Sequence, residues 1–200
     1  SGEVCWLLNG GQSDNPVFYQ NIGKDISPVL DSTHGTVYKH GDIYNNEILN
    51  KNADGAYEIG TPEELVAFAT VVNNGETSAS AVLTANIDLS GVDNFTPIGL
   101  YSDESGKPNN QFVGTFDGQG YVIKNLTVTI PETESWEAGL FSRTYQATLK
   151  NFGIENATVT NNGLNGGQPI RAGIVGGELH ASTIQNIFTV GDLVVNTAHA

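Results

Sequence analysis

The chain is 200 residues long, with 22 acidic and 8 basic side chains, and its net charge of −14 excludes the basic face that a nucleic-acid backbone or an anionic membrane requires. Its 24 glycines and 21 asparagines disfavour helices and suit tight turns, so a mainly β chain is predicted. Cys5 is the single cysteine, which rules out an internal disulfide, and no apolar run nears the roughly 20 residues of a spanning helix.

Residues 1–40 spread Trp6, Phe18, Tyr19 and Tyr38 among the turn signals Gly10-Gly11, Asn15-Pro16, Asp31-Ser32 and His34-Gly35. They read as a small β-rich segment of short strands and tight turns. Residues 41–55 are polar, with Asn45-Asn46, Lys51-Asn52 and Asp54-Gly55, and read as a linker.

A helix is predicted next. Thr61 supplies an N-cap hydroxyl, Pro62 a favourable first helical residue and Glu64 the reciprocal carboxylate of a capping box. Leu65, Phe68, Ala69 and Val72 then fall at i, i+3, i+4 and i+7, one apolar stripe, and Asn73-Asn74-Gly75 supplies the stop. Such a stripe makes the helix a lid over something apolar. Ala81 to Leu89 alternates apolar Leu83, Ala85, Ile87 and Leu89 with Thr84, Asn86 and Asp88, the pattern of a half-buried strand.

The remainder repeats. Ile123-Lys124-Asn125-Leu126, Leu149-Lys150-Asn151-Phe152 and Ile184-Gln185-Asn186-Ile187 share an apolar, polar, Asn, apolar pattern, their asparagines 26 and 35 residues apart. Ala138-Gly139-Leu140-Phe141-Ser142 and Ala172-Gly173-Ile174-Val175-Gly176 recur 34 residues apart. Repetition at this period predicts a solenoid whose parallel rungs stack about 4.8 Å apart. Asn125, Asn151 and Asn186 are expected to form one hydrogen-bonded column, with Lys124 and Lys150 near each other on an outer face. Insertions at 131–137 and 161–169 account for the uneven spacing.

With these motifs, the stretch from Tyr57 to Val195 resembles the right-handed parallel β-helix modules of bacterial secreted and surface proteins that carry the GLUG motif. Gly173-Ile174-Val175-Gly176 matches that motif with Ile for Leu, and Gly139-Leu140-Phe141 matches until Ser142 replaces the last glycine. The resemblance implies a capping helix at the start of a β-helix over 56–200, a truncated far end, and a 1–40 segment that closes a preceding module. The composition also fits an exported protein, and the absence of any methionine reads as a piece cut from a longer polypeptide. The resemblance further implies a non-enzymatic structural or adhesive module at the bacterial cell surface, presenting loops to a carbohydrate or a host surface protein and flanked by further modules of the same polypeptide. The rival is a fragment of a β-helical polysaccharide lyase or glycoside hydrolase whose catalytic rungs lie elsewhere.

Catalytic and metal sites find no support in the residues. Asp88, Asp93, Asp103 and Asp117 are scattered, and Asp117 before Gly118 reads as a turn residue. His34 and His40 near Asp42 match no strong ligand spacing, so no metal or cofactor is predicted. Cys5, beside Trp6 and Leu7, reads as buried rather than reactive. Asn94-Phe95-Thr96, Asn125-Leu126-Thr127 and Asn156-Ala157-Thr158 have the form of glycosylation acceptors, which means little in a bacterial protein. Tyr101 and Trp136 lie in loop-like text and are the candidate sugar-stacking rings.

Overall fold

The computed structural model describes residues 2–40, 43–46, 48–101, 109–134, 137–163 and 170–196. The chain divides into two compact units, 1–50 and 51–200, with the division inside the polar stretch 41–55.

In the first unit a helix, α1 (Glu3–Leu8), stands where strands and turns are predicted. Its six residues contain no breaker, and it stops at Asn9-Gly10-Gly11, where both glycines take positive φ. The Asn9 amide ties this helix end to the next loop, donating to the Phe18 carbonyl at 2.8 Å and accepting the Val17 and Phe18 N–H groups at 3.0 and 2.9 Å. Cys5 is fully buried and donates to the same carbonyl at 3.3 Å, and burial pushes its thiol up. Strands β1 (Tyr38–His40) and β2 (Ile43–Asn45) pair as an antiparallel hairpin.

β3 (Asn50–Lys51) lies at the boundary, and the second unit is mainly β, organised as a large, mostly parallel sheet. Its strands are β4 (Tyr57–Ile59), β5 (Ala81–Leu83), β6 (Ile87–Asp88), β7 (Thr115–Asp117), β8 (Val122–Lys124), β9 (Thr127–Ile130), β10 (Phe141–Tyr145), β11 (Thr148–Asn161), β12 (Gly176–His180) and β13 (Thr183–Val195). The predicted strand over 81–89 is interrupted at 84–86, although Ala81, Leu83, Ile87 and Leu89 are all buried.

Strand β11 carries the organisation. It bends at Asn151 and Asn156, both with positive φ, and its three segments lie parallel on β7, β8 and β9 in turn, while β13 lies parallel on it. Asparagine suits such bends because its short polar side chain tolerates the left-handed region. Residues in register become vertical neighbours, so Tyr57, Ala81, Phe116, Leu149 and Ile184 stack through five tiers. A second column holds Ile87, Ile123 and Ile154, and a third Val128, Val159 and Leu193. β10 and β12 pair in parallel beside them, again 35 residues apart.

The core between these columns is aromatic. Phe116 meets Phe141 at 5.5 Å and Phe152 at 5.4 Å between centroids, and Phe112 meets Phe141 at 5.2 Å. Such pairs contribute about 0.5–1.5 kcal/mol each beyond their buried area. Helix α2 (Pro62–Asn73) lays its predicted stripe on this core: Leu65, Phe68 and Val72 are completely buried, and the Phe68 ring stands 6.1 and 6.3 Å from those of Phe112 and Phe116. Its start is the capping box, with Thr61 Oγ1 accepting the Glu64 N–H at 3.2 Å and Glu64 Oε2 accepting the Thr61 N–H at 3.0 Å. At its end Asn73 Oδ1 accepts the N–H groups of Gly99 and Leu100 at 2.8 and 2.9 Å, fixing the following loop to the helix.

The repeated glycine motif allows tiers to approach. A methyl group built on Gly139 would overlap the Gly173 carbonyl oxygen and lie 2.6 Å from the Gly176 Cα, and one on Gly173 would lie 2.5 Å from the Gly176 carbonyl oxygen. Only a residue without a side chain fits there.

Candidate functional site

Among the described residues the parallel registers bring polar side chains together in several places, Asn162 with Asn196 and Thr144 with Ser182 among them, and three of these places hold charged groups. The first two are columns at the β11 bends. Asn186 Nδ2 donates to Asn151 Oδ1 at 3.0 Å, and Asn151 Nδ2 donates to Asp117 Oδ1 at 3.0 Å. Separately, Asn156 Nδ2 donates to Asn125 Oδ1 and Asn125 Nδ2 to Asp88 Oδ1, both at 2.6 Å. The predicted single column of Asn125, Asn151 and Asn186 is therefore split: Asn151 and Asn186 stack, and Asn125 belongs with Asn156. The reason is that each tier has more than one bend, and every bend that takes positive φ welcomes asparagine.

An amide both donates and accepts, so it can pass a hydrogen bond from tier to tier, whereas the lowest member needs only to accept. Aspartate fills that place in both columns. Asp117 also accepts the Gln119 N–H at 3.0 Å and Asp88 the Ser90 N–H at 3.0 Å, so each carboxylate serves its own turn as well. The hydrogen bond from Asn125 chiefly holds the Asp88 carboxyl below its ordinary range. For Asp117 burial raises the carboxyl, and hydrogen bonds from Gln119, Asn151 and Lys150 together outweigh it.

Lysines 124 and 150 are likewise apart rather than near each other. Lys124 pairs with Glu155 at 3.3 Å and Lys150 with Asp117 at 3.1 Å, each on an adjacent tier. These half-exposed pairs contribute little stability, but like charges in the same register would oppose it.

The third place is a partly buried ion cluster at the β10–β12 junction, with Glu137 its buried member. Glu137 Oε1 lies 3.2 Å from Arg171 Nη1 and 3.3 Å from Arg143 Nη2, while Glu178 Oε2 takes Arg143 Nη2 and, at 3.1 Å, Arg171 Nε. Charges swap between tiers: Arg143 stands in register with Glu178, and Glu137 precedes the bridge Ala138–Ala172 just as Arg171 does on the other side. The Arg143 guanidinium lies 3.7 Å from the centre of the Tyr101 ring, and Tyr145 stacks on His180 at 5.4 Å. Tyr101 is thus a partner of this cluster, and Trp136 lies outside the described residues.

Glu137 is 5 % exposed and its Oε2 has no donor among the described residues. Burial, opposed by Arg143 and reinforced by Glu178, raises its carboxyl to about 7, while Glu178, also raised by burial, is brought below its ordinary value by Arg143. A proton on Glu137 would turn the orphaned oxygen into a donor. Because the folded-state value of Glu137 lies above the unfolded one, its contribution to stability is full below about pH 4.5 and is lost as pH rises through about 7. Urea unfolding of residues 51–200 should therefore weaken between pH 5 and 8 by on the order of 1–3 kcal/mol, and Glu137→Gln, which keeps the donor at all pH values, should flatten that slope. An unchanged slope in the variant would remove Glu137 as the titrating group.

In the first unit His34 Nδ1 lies 2.6 Å from Asp25 Oδ2, which holds the Asp25 carboxyl down. Asp42 and Asp103, and the side chain of His40, lie outside what is described.

No family model matches the chain. It is 29 % identical over 158 residues to Halomucin of Haloquadratum walsbyi, a stretch that makes up 74 % of this chain and 2 % of that protein. Among solved structures it is similar to a Bacteroides ovatus protein provisionally assigned as an immunoglobulin A1 protease, with a TM-score of 0.52 and 18 % identity over 75 % of this chain and 45 % of the other. That likeness concerns the fold alone. No helix among the described residues is long and apolar enough to cross a membrane.

Proposed function

We propose that residues 51–200 are a right-handed parallel β-helix of the GLUG type, capped by α2, and that this solenoid is a non-enzymatic stalk or adhesive module of an exported bacterial surface protein. The observation that carries the reading is the five-tier stack from Tyr57 to Ile184, whose successive upper members are 35, 33 and 35 residues apart. A coil that returns to the same lateral position after each circuit produces this regularity, and its bends account for the two asparagine columns. The glycine motif fits the reading through the close backbone approach of Gly139, Gly173 and Gly176.

Presentation of loops follows from where rigidity and variability lie. Strands are tied tier to tier, while the connections between them vary in length. Tyr101 supplies an aromatic ring beside the ion cluster, and glycans or host proteins are the ligands such loops suit. The likeness to a stretch amounting to 2 % of Halomucin favours a module within a much longer polypeptide.

Glycan-array and host-protein binding by the 200-residue chain tests this. Saturable binding without cleavage, weakened at least about tenfold by Tyr101→Ala, is the expected result. Release of unsaturated or reducing sugars would replace the adhesive reading with the lyase or glycosidase one.

A further inference from the structure

The apolar columns of residues 51–200 end differently at their two extremes. At one end α2 closes the core. At the other, identical chemistry in identical register changes from buried to exposed: Leu149 and Val159 are 0 % exposed, whereas Ile184 and Leu193 directly on them are 43 % and 48 % exposed. Phe188, whose ring rests on Gly153, and Val195 share this exposure.

The outer backbone edge of β13 pairs with no described strand. Soluble proteins blunt such an edge with lysine, proline or inward-pointing charge. Of the thirteen β13 residues only Asp192 is charged, and none is lysine or proline. The asparagine column is also open at this end. Asn186 uses its amide N–H on Asn151, and its Oδ1 has no donor among the described residues.

We infer that the β13 edge is the docking face for a further parallel coil of the same repeat, one that sets an asparagine over Asn186 and apolar side chains over Ile184, Leu193 and Val195. The inference rests on the coil reading above and names the partner of its open end. The direction of the partner follows from the side chains. A second copy of this chain related by a two-fold axis would lay β13 antiparallel on itself. The one register that sets Asn186 over Asn186 would carry Leu193 and Val195 beyond the end of the partner's strand, since β13 begins only three residues before Asn186. A coil running in the same direction continues the backbone ladder, the amide column and all the apolar columns at once.

The test joins a copy of residues 163–196 directly after Asn196 and compares this extended protein with the 200-residue chain. The melting temperature should rise by at least about 5 °C and exchange of the β13 amides should slow at least about tenfold, as nearest-neighbour stacking requires. The pair Ile184→Thr and Leu193→Thr should barely alter melting of the 200-residue chain, where these side chains are uncovered, yet remove most of the gain in the extended one. Equal melting and equal exchange in the two proteins would overturn the inference, as would sedimentation of the 200-residue chain as a dimer with its β13 amides already protected. Asn151→Ala separates the two levels of argument. If it lowers melting of the 200-residue chain while the added coil changes nothing, docking fails and the coil reading stands; if neither has an effect, both fall.

Discussion

Leu65→Asp should lower the melting temperature of residues 51–200 by more than about 10 °C, or leave the chain aggregated. Leu65 is completely buried on the inner stripe of α2. Truncating a core leucine removes about 2–5 kcal/mol, and an aspartate adds the desolvation of a charge with no partner. In a unit of this size each kcal/mol corresponds to roughly 2–4 °C. Helix propensity is not the cause, because Val66→Asp on the adjacent, 38 % exposed position should cost less than about 1 kcal/mol. Thermal denaturation of both variants decides the matter, and equal melting would show that α2 does not close the core.

Gly139→Ala is the second large effect, and it arises from the opposite fault, one atom too many. The added methyl group would overlap the Gly173 carbonyl and crowd the Gly176 Cα, both backbone atoms that cannot rotate away. Overpacking of this kind costs about 1–3 kcal/mol or more, a loss of at least about 2 °C and up to about 12 °C in melting. Gly91→Ala is the control, since nothing lies within 4 Å of a methyl group there and no positive φ opposes it. Its expected change is within about 1 kcal/mol in either direction. If the two alanine variants melt together, the glycine motif has no role in tier spacing.

The two asparagine columns show where reading the sequence stopped. Ile154-Glu155-Asn156-Ala157 is a fourth instance of the apolar, polar, Asn, apolar pattern, hidden because its last member is only alanine. The triplets Asn125-Leu126-Thr127 and Asn156-Ala157-Thr158, which have the form of glycosylation acceptors, are 31 residues apart and mark the same bend on successive tiers. The spacing of 26 between Asn125 and Asn151 already departs from the 31 to 37 residues that separate the true partners. The ion cluster had a signal too: Glu137 and Arg171 are 34 residues apart and Arg143 and Glu178 35, opposite charges exchanged at the repeat spacing.

Local chemistry by itself determined the helix. Thr61, Pro62 and Glu64 satisfy one another within a turn, Leu65, Phe68 and Val72 share a face through the 3.6-residue period, and no distant partner is needed to read either. The same holds for the strongly β, turn-rich character of the rest. Which bend stands on which, which carboxylate meets which guanidinium, and that burial raises the Glu137 carboxyl were decided only by tertiary structure. Connections between strands change length at little energetic cost, so distance along the chain does not reveal a partner until backbone hydrogen bonds fix the register and set particular side chains one above another.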